Sequence, residues 1–212
     1  MVAVIFDLDG TLIDSAIDIH AGSVVFLAEL GRPPLPLQTI KSFVGHGVTR
    51  LVERIAAASG LPQPTDELEK RFLRHYHSAD SRLYPGVLTA LEVLATAGCA
   101  IGLCTNKPHG PTHEVLLQLG IAPIFKTIIT GDSLPTRKPD PAPLLAAVHA
   151  LGQDHAVFVG DSEVDAQTAV NAALPFLLYT GGYRKAAVQD IPHTAAFAHH
   201  SDLPALIANM VL

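Results

Sequence analysis

Two aspartates stand two residues apart in Met1-Val-Ala-Val-Ile-Phe-Asp-Leu-Asp-Gly-Thr-Leu12, where a short run rich in Val and Ile stops at a polar turn. Side chains at i and i+2 of a strand share a face, so Asp7 and Asp9 would repel each other at close range. A divalent cation relieves that repulsion, and a hard, oxygen-only donor set suits Mg²⁺. Gly10 allows a sharp bend and close approach of backbone N–H groups to an anion, and Thr11 adds a hydroxyl donor. An ionised aspartate in such a setting is a nucleophile towards phosphorus, forming an aspartyl-phosphate. The alternative is an Asp-Gly turn closing a hairpin; an apolar strand running directly into Asp-Leu-Asp-Gly-Thr favours the chemical reading.

This segment resembles the first motif, Asp-x-Asp-Gly-Thr, of the haloacid dehalogenase superfamily of phosphohydrolases. Three further segments fall in that superfamily's order and span almost the whole chain. Ala100-Ile-Gly-Leu-Cys-Thr-Asn-Lys107 ends in Thr105 and Asn106, matching the motif that sets a hydroxyl on the transferring phosphoryl group. Gly131-Asp-Ser-Leu-Pro-Thr-Arg-Lys-Pro-Asp-Pro141 carries Lys138, matching the motif that supplies a cation. Val157-Phe-Val-Gly-Asp-Ser-Glu-Val-Asp165 matches the acidic metal motif.

Each segment also makes chemical sense alone. Phosphoryl transfer spreads negative charge over equatorial oxygens, which a hydroxyl, backbone amides and an ammonium stabilise. Lys138 as a solvated loop lysine, and Asp161 as a helix N-cap, are the competing structural readings. The resemblance implies Asp7 as nucleophile, Asp9 as general acid and base, and Thr105 and Lys138 on the phosphoryl oxygens. It implies Gly10, Thr11 and Asn106 as substrate contacts. Mg²⁺ would be held by Asp7, the backbone carbonyl of Asp9, and Asp161, with Asp165 orienting the set or binding through water.

These residues need elements to position them. Strand-like runs at Val2 to Phe6, Ala100 to Cys104, Thr127 to Thr130, Ala156 to Gly160 and Pro175 to Tyr179 alternate with helical stretches. The helices are expected near Thr89 to Ala97, Pro111 to Leu119, Pro141 to Leu151, Val164 to Ala173 and Leu203 to Val211. Such alternation predicts βαβ units, that is, an α/β fold with a Rossmann-like parallel sheet covered on both faces. Ligands of such sheets bind beyond the carboxyl ends of the strands, where the motifs fall.

Ser15 to about Arg82 breaks the pattern. It shows apolar stripes at helical spacing: Ile17, Val24, Val25, Leu27, Ala28 and Leu30; then Val48, Leu51, Val52 and Ile55; then Leu68, Phe72 and Tyr76. The reading is a core made of residues 1–14 and 83–212, with residues 15–82 inserted as an α-helical cap. In the superfamily that position holds a small helical cap, whose closure would exclude water and read the leaving group. Within it, Gly45 and Gly47 at a helix start can expose N–H groups to a carboxylate or second phosphate. The wider pattern is similar to bacterial phosphoglycolate phosphatases, with His46 and Arg50 as the cap side chains expected to face substrate. The alternatives are an ordinary interhelical turn and an Arg50 that snorkels over the core.

Composition sets outer bounds. The chain has 212 residues, 49% of them hydrophobic and 16% charged, enough to bury a full core. A formal net charge of -6 argues against a nucleic-acid partner. No apolar stretch reaches membrane-spanning length, so no membrane partner and a cytoplasmic location are expected. Cys99 and Cys104 are oddly spaced along one run and point to opposite faces, which predicts free thiols. The scattered histidines lack zinc spacing, and His199-His200 is read as a surface or capping pair. The expected substrate is a small phosphate ester, 2-phosphoglycolate first, with a sugar phosphate, nucleotide, pyridoxal phosphate or N-acetylmuramate phosphate as alternatives. A β-phosphoglucomutase-like phosphomutase and a non-catalytic binding protein on the same fold are the competing classes. A monomer or a homodimer fits.

Overall fold

The computed structural model describes residues 2–62, 66–77 and 79–210. The expected helix end at Val211 lies outside them, as do residues 63–65 and 78 of the expected cap.

In β1 (Val2–Phe6), Val2, Val4 and Phe6 enter one apolar cluster while Ala3 and Ile5 enter another. Two-sided burial is what a strand in the middle of a parallel sheet requires. The chain continues through β2 (Ile13–Asp14), α1 (Ala16–Glu29), α2 (Leu37–Lys41), α3 (Val48–Ala58), α4 (Asp66–His75) and β3 (Arg82–Leu83). Next come α5 (Val87–Thr96), β4 (Ala100–Cys104), α6 (His109–Gln118), β5 (Thr127–Ile129), α7 (Ala142–Leu151) and β6 (His155–Gly160). Then follow α8 (Glu163–Asn171), β7 (Phe176–Tyr179), β8 (Ala195–Phe197) and α9 (Leu203–Met210).

The main sheet has six strands in the order β5-β4-β1-β6-β7-β8, and every pairing is parallel. Chain direction across the sheet reverses at β1, which makes the crevice beyond β1, β4 and β6 the natural ligand site. Helices α5, α6 and α9 supply Leu91, Leu116 and Ile207 to one face, and α7 and α8 supply Leu144, Ala147 and Ala169 to the other. Phe6 and Phe158 are fully buried, each contributing on the order of 2–3 kcal/mol through removal from water.

β8 was not visible in the sequence. Ala195–Phe197 is three residues long and Ala-rich, with little strand propensity of its own; pairing with β7 makes it a strand. The two-residue strands β2 and β3 pair antiparallel at the point where the chain leaves and re-enters the main sheet's layers.

Between β2 and β3, Ile19, Phe26, Leu27, Ile40, Val52, Ile55, Phe72 and Tyr76 form a separate apolar cluster. The stripes of α3 and α4 face it as their spacing predicts. The stripe expected on α1 is corrected in part: Leu27 is buried and Leu30 packs on the cluster, but Ile17 and Val25 are 50% and 47% exposed, and Asp18, Ile19, Gly22, Ser23 and Phe26 are buried instead. Backbone approach decides the facing, since a Cβ on Gly22 would lie 2.8 Å from the carbonyl oxygen of His75. Asp18 completes that face, accepting hydrogen bonds from the N–H of Asp80 at 2.9 Å and the hydroxyl of Ser81 at 2.5 Å. A buried carboxylate so satisfied outweighs apolar periodicity.

Candidate active site

Asp7, Thr105 and Asp161 each lie one residue beyond a strand, after β1, β4 and β6 respectively. The register that pairs Phe6 with Leu103 and with Val159 brings these three residues to one edge. The Asp7 N–H donates to the carbonyl of Val159 at 2.9 Å, carrying the ladder one residue past the strand. Lys138 reaches the same place from the loop after β5: its Nζ lies 2.8 Å from Asp7 Oδ1 and 2.5 Å from Asp165 Oδ1. Oxygens of Asp7, Asp161 and Asp165 all lie within 4.8 Å of one another, and all three residues are buried.

Three buried carboxylates thus cluster around one ammonium that pairs with two of them, Asp7 and Asp165. Burial, and then repulsion from Asp165, raise the Asp7 carboxyl to about 7 against the pull of Lys138. Burial and the charges of Asp165 and Asp7 push Asp161 well above the ordinary carboxylate value. Burial alone would lower Lys138, but Asp165 and Asp7 hold it above the usual lysine value. Such an excess of buried negative charge is what a bound cation neutralises, so the donor set fits one.

The acids are held from all sides. Asp161 accepts from the Thr11 hydroxyl at 2.8 Å and from the Tyr183 N–H at 2.6 Å. Asp165 accepts on its second oxygen from the Ser162 hydroxyl at 2.6 Å and forms a capping box with Ser162 at the start of α8. The N-cap is therefore Ser162 rather than Asp161. Thr105 Oγ1 accepts the Lys107 N–H at 3.2 Å, which leaves its own proton free to point into the site. Above this edge is a cleft lined below by Asp7, Asp9, Thr105 and Lys107 and above by Ile19, Val44, Gly45, Gly47, Val48, Leu51 and Tyr76.

The family model described as haloacid dehalogenase-like hydrolase matches residues 4–179. The chain belongs to the haloacid dehalogenase-like hydrolases. A curated relative from Cereibacter sphaeroides, named phosphoglycolate phosphatase, is 47% identical with 100% of both chains covered. One from Rhodobacter capsulatus with the same name is 44% identical over 97% of this chain and 96% of its own. A crystal structure of a predicted phosphoglycolate phosphatase from Haemophilus somnus 129pt superposes with a TM-score of 0.89 at 28% identity, covering 97% of each chain. The protein is thus a hydrolase with phosphatase relatives, built on the α/β parallel-sheet fold expected of it.

Several side chains of this hydrolase do other work than their sequence context suggested. The Asp9 carboxylate turns away from the acid cluster: it accepts from the Ser15 hydroxyl at 2.6 Å and pairs with Lys107 Nζ at 3.1 Å. Asp9 lies past the end of β1, in an isolated bridge with Ile13; it lines the same cleft as Asp7 but pairs with Lys107, whereas Asp7 pairs with Lys138. The crowding that a cation would relieve comes from Asp161 and Asp165 instead. The Thr11 hydroxyl is spent on Asp161. The Gly10 N–H donates to Ile13 O at 2.8 Å, and at φ 89° a side chain on Gly10 would collide with Asp161 and Tyr183. Asn106 is a clamp: its amide donates to the carbonyls of Gly45 and Lys138 at 3.1 and 3.0 Å and accepts the Lys138 N–H at 3.0 Å.

Of the four cap positions expected at the substrate, Gly45 and Gly47 line the cleft, with positive φ of 113° and 82°. His46 and Arg50 instead line a different groove, with Glu53 and Arg54. Arg50 is exposed and pairs with Glu53 at 2.6 Å, one helical turn along; it neither reaches the cleft nor snorkels.

Lys107, Tyr76, Tyr183 and His200 were not singled out for the site. Lys107 stood in plain view beside Thr105-Asn106, and only its type was a signal. Tyr183 had none; its hydroxyl donates to Asp14 at 2.7 Å and accepts the Ser15 N–H at 2.8 Å, tying the start of α1 to the core. His200, expected in a surface or capping role, is 1% exposed. Its Nε2 donates to the Thr11 carbonyl at 2.9 Å, and its ring packs on Tyr179 with centroids 4.4 Å apart. Burial lowers its pKa to about 4. Cys99 and Cys104 are free, as expected, and no helix among the described residues is long and apolar enough to cross a membrane.

Proposed function

We propose that this phosphatase hydrolyses 2-phosphoglycolate, with Asp7 as the nucleophile. One observation carries the assignment: Asp7, paired with Lys138, and Thr105 lie on the floor of a cleft whose roof is apolar apart from Tyr76. Asp7 Oδ attacks phosphorus and the P–O bond to glycolate breaks, giving an aspartyl-phosphate. Asp9, the other carboxylate lining the cleft, hands a proton to the departing alkoxide; it then takes one from the water that attacks the aspartyl-phosphate and releases inorganic phosphate. The Thr105 hydroxyl and the Lys138 ammonium hold the phosphoryl oxygens through both steps.

Asp7, Asp161 and the backbone carbonyl of Asp9 would hold Mg²⁺. Both Asp165 oxygens are already engaged by Lys138 and Ser162, which suits an orienting role. When bound, Mg²⁺ would supply positive charge to the oxygens that gain negative charge in transfer. Residues 15–82 act as the cap over a core of residues 1–14 and 83–212, and the separate apolar cluster from Ile19 to Tyr76 supports that division.

The test is phosphate release from a panel of phosphoglycolate, sugar phosphates, nucleotides and pyridoxal phosphate, each assayed with Mg²⁺ and with EDTA. Phosphoglycolate is expected to show the highest kcat/KM, and chelation to abolish turnover. Equal rates with and without EDTA would sink the metal assignment, and a better panel member would replace the substrate. Conversion of a sugar phosphate to its isomer without phosphate release would instead mark a phosphomutase.

A further inference from the structure

Lys107 is 4% exposed, yet nothing in the chemistry above uses it. Its Nζ lies 3.1 and 3.4 Å from the two Asp9 oxygens, donates to the Tyr76 hydroxyl, and sits 4.3 Å from the centre of the Tyr76 ring. Asp9 belongs to the core and Tyr76 to the segment just past α4, so this ammonium stands where cap meets core. Among the described residues it is the single cation lining the cleft. Lys138 is committed to Asp7 and Asp165, and Arg50 to Glu53 on the outer surface.

We propose that Lys107, positioned by Tyr76, is the group that recognises a carboxylate on the substrate's leaving group. The proposal rests on the phosphoglycolate reading and names the residue responsible for it. In a glycolate ester the carboxylate oxygens lie only about 3–3.6 Å from the leaving oxygen, by ordinary bond lengths. An ester whose leaving oxygen faces Asp9 therefore sets its carboxylate within reach of an ammonium that is itself 3.1 Å from Asp9. A lysine has three N–H donors, here facing the two Asp9 oxygens and the Tyr76 hydroxyl; the longer Asp9 contact, at 3.4 Å, is the one a substrate carboxylate would displace. The remaining roof, Ile19, Val44, Val48 and Leu51, offers no charge to a buried carboxylate, which would be costly to leave unpaired. The same apolar roof gives no partner to a polyhydroxylated leaving group, so discrimination comes from both sides.

The experiment compares kcat/KM for phosphoglycolate with that for ethyl phosphate, the same arm without a carboxylate, in the full-length protein. Wild type is expected to favour phosphoglycolate strongly. Lys107→Met is expected to cut that preference by about 100-fold or more, because a charge-assisted contact is lost from one ester and not the other. Lys107→Arg keeps the charge and is expected to retain most of the preference. Tyr76→Phe, which leaves the lysine but removes its tether, is expected to reduce the preference by about three- to tenfold, and it remains informative if circular dichroism shows that Lys107→Met does not fold. Equal losses on both esters in Lys107→Met, or an unchanged ratio in Tyr76→Phe, overturn the assignment, since Lys107 would then serve only to place Asp9. A wild type with no preference for the carboxylate rejects the phosphoglycolate reading itself. A preference that survives Lys107→Met rejects only Lys107.

Discussion

Asp7, Thr105 and Asp161 sit one residue beyond three strands of the same sheet, whereas the opposite wall of the cleft, Ile19, Val44, Val48 and Leu51, is assembled from α1, the turn after α2, and α3. The floor is polar, buried and crowded with like charge; the roof is apolar apart from Tyr76. Hydrogen-bonded strand register can hold charges a few ångströms apart, because each ladder is rigid and each acid is locked by further bonds. Helix packing holds shape more readily than charge. The difference suggests that the floor carries the chemical step, while the roof, with Lys107 at its edge, selects which ester enters.

The sharpest way to break that division is at the floor. Asp7→Asn is expected to lower kcat on every ester by at least about 10⁴-fold, since it removes the proposed nucleophile rather than a contact. Its thermal midpoint should be unchanged or higher, because one of three crowded carboxylates becomes neutral. Ester-dependent losses would show that the floor also selects.

The roof and the outer groove make a paired test of smaller size. Gly47 has φ 82°, and a Cβ there would lie 3.2 Å from the Asn106 carbonyl. Gly47→Val should therefore lower kcat/KM for phosphoglycolate about tenfold more than for p-nitrophenyl phosphate. Arg50→Ala, at a side chain two-thirds exposed and paired with Glu53, should change either value less than about twofold. An Arg50 effect as large as that of Gly47 would move the substrate's arm into the outer groove.

The smallest effect concerns the support behind the floor. His200 donates to the carbonyl of Thr11, next to Gly10, and is buried in its neutral form with a pKa of about 4. An unfolded histidine titrates near 6.5, so between those values the unfolded chain binds the proton and the folded one does not. Stability must then fall as pH drops from about 6.5 towards 4. His200→Gln should be less stable at pH 7 yet lose about 1 kcal/mol less than wild type between pH 7 and 5.5, measured by urea unfolding. Parallel losses in the two proteins would place a different group behind the acid sensitivity.

Much of this molecule could be read from its residues because strands and helices announced themselves by local pattern. The five expected strands and five core helices were visible as local patterns, and Asp7 and Asp161 as carboxylates where apolar runs end; Thr105 and Lys138 were named by the resemblance of their segments to the superfamily's motifs. What escaped had no local pattern to show. β8 is three residues, two of them Ala, and exists by pairing with β7. The buried face of α1 is turned by the Gly22 contact with His75, which no periodicity in α1 encodes.

By itself the sequence determined the alternation of five strands and five helices, the acids at the strand ends and the lysine motif in the loop after β5, which together resemble the family. These follow from chemistry within a few adjacent residues, and parallel pairing then brings strand ends together with little freedom. Only the tertiary structure decided what each polar group faces. It turned Asp9 from Asp7 towards Lys107, spent Thr11 on Asp161 and Asn106 on the Lys138 loop, sent Arg50 outward and drew His200 inward. Partners that lie up to 189 positions apart, as His200 and Thr11 do, are chosen by packing and by the cost of leaving a buried polar group unsatisfied.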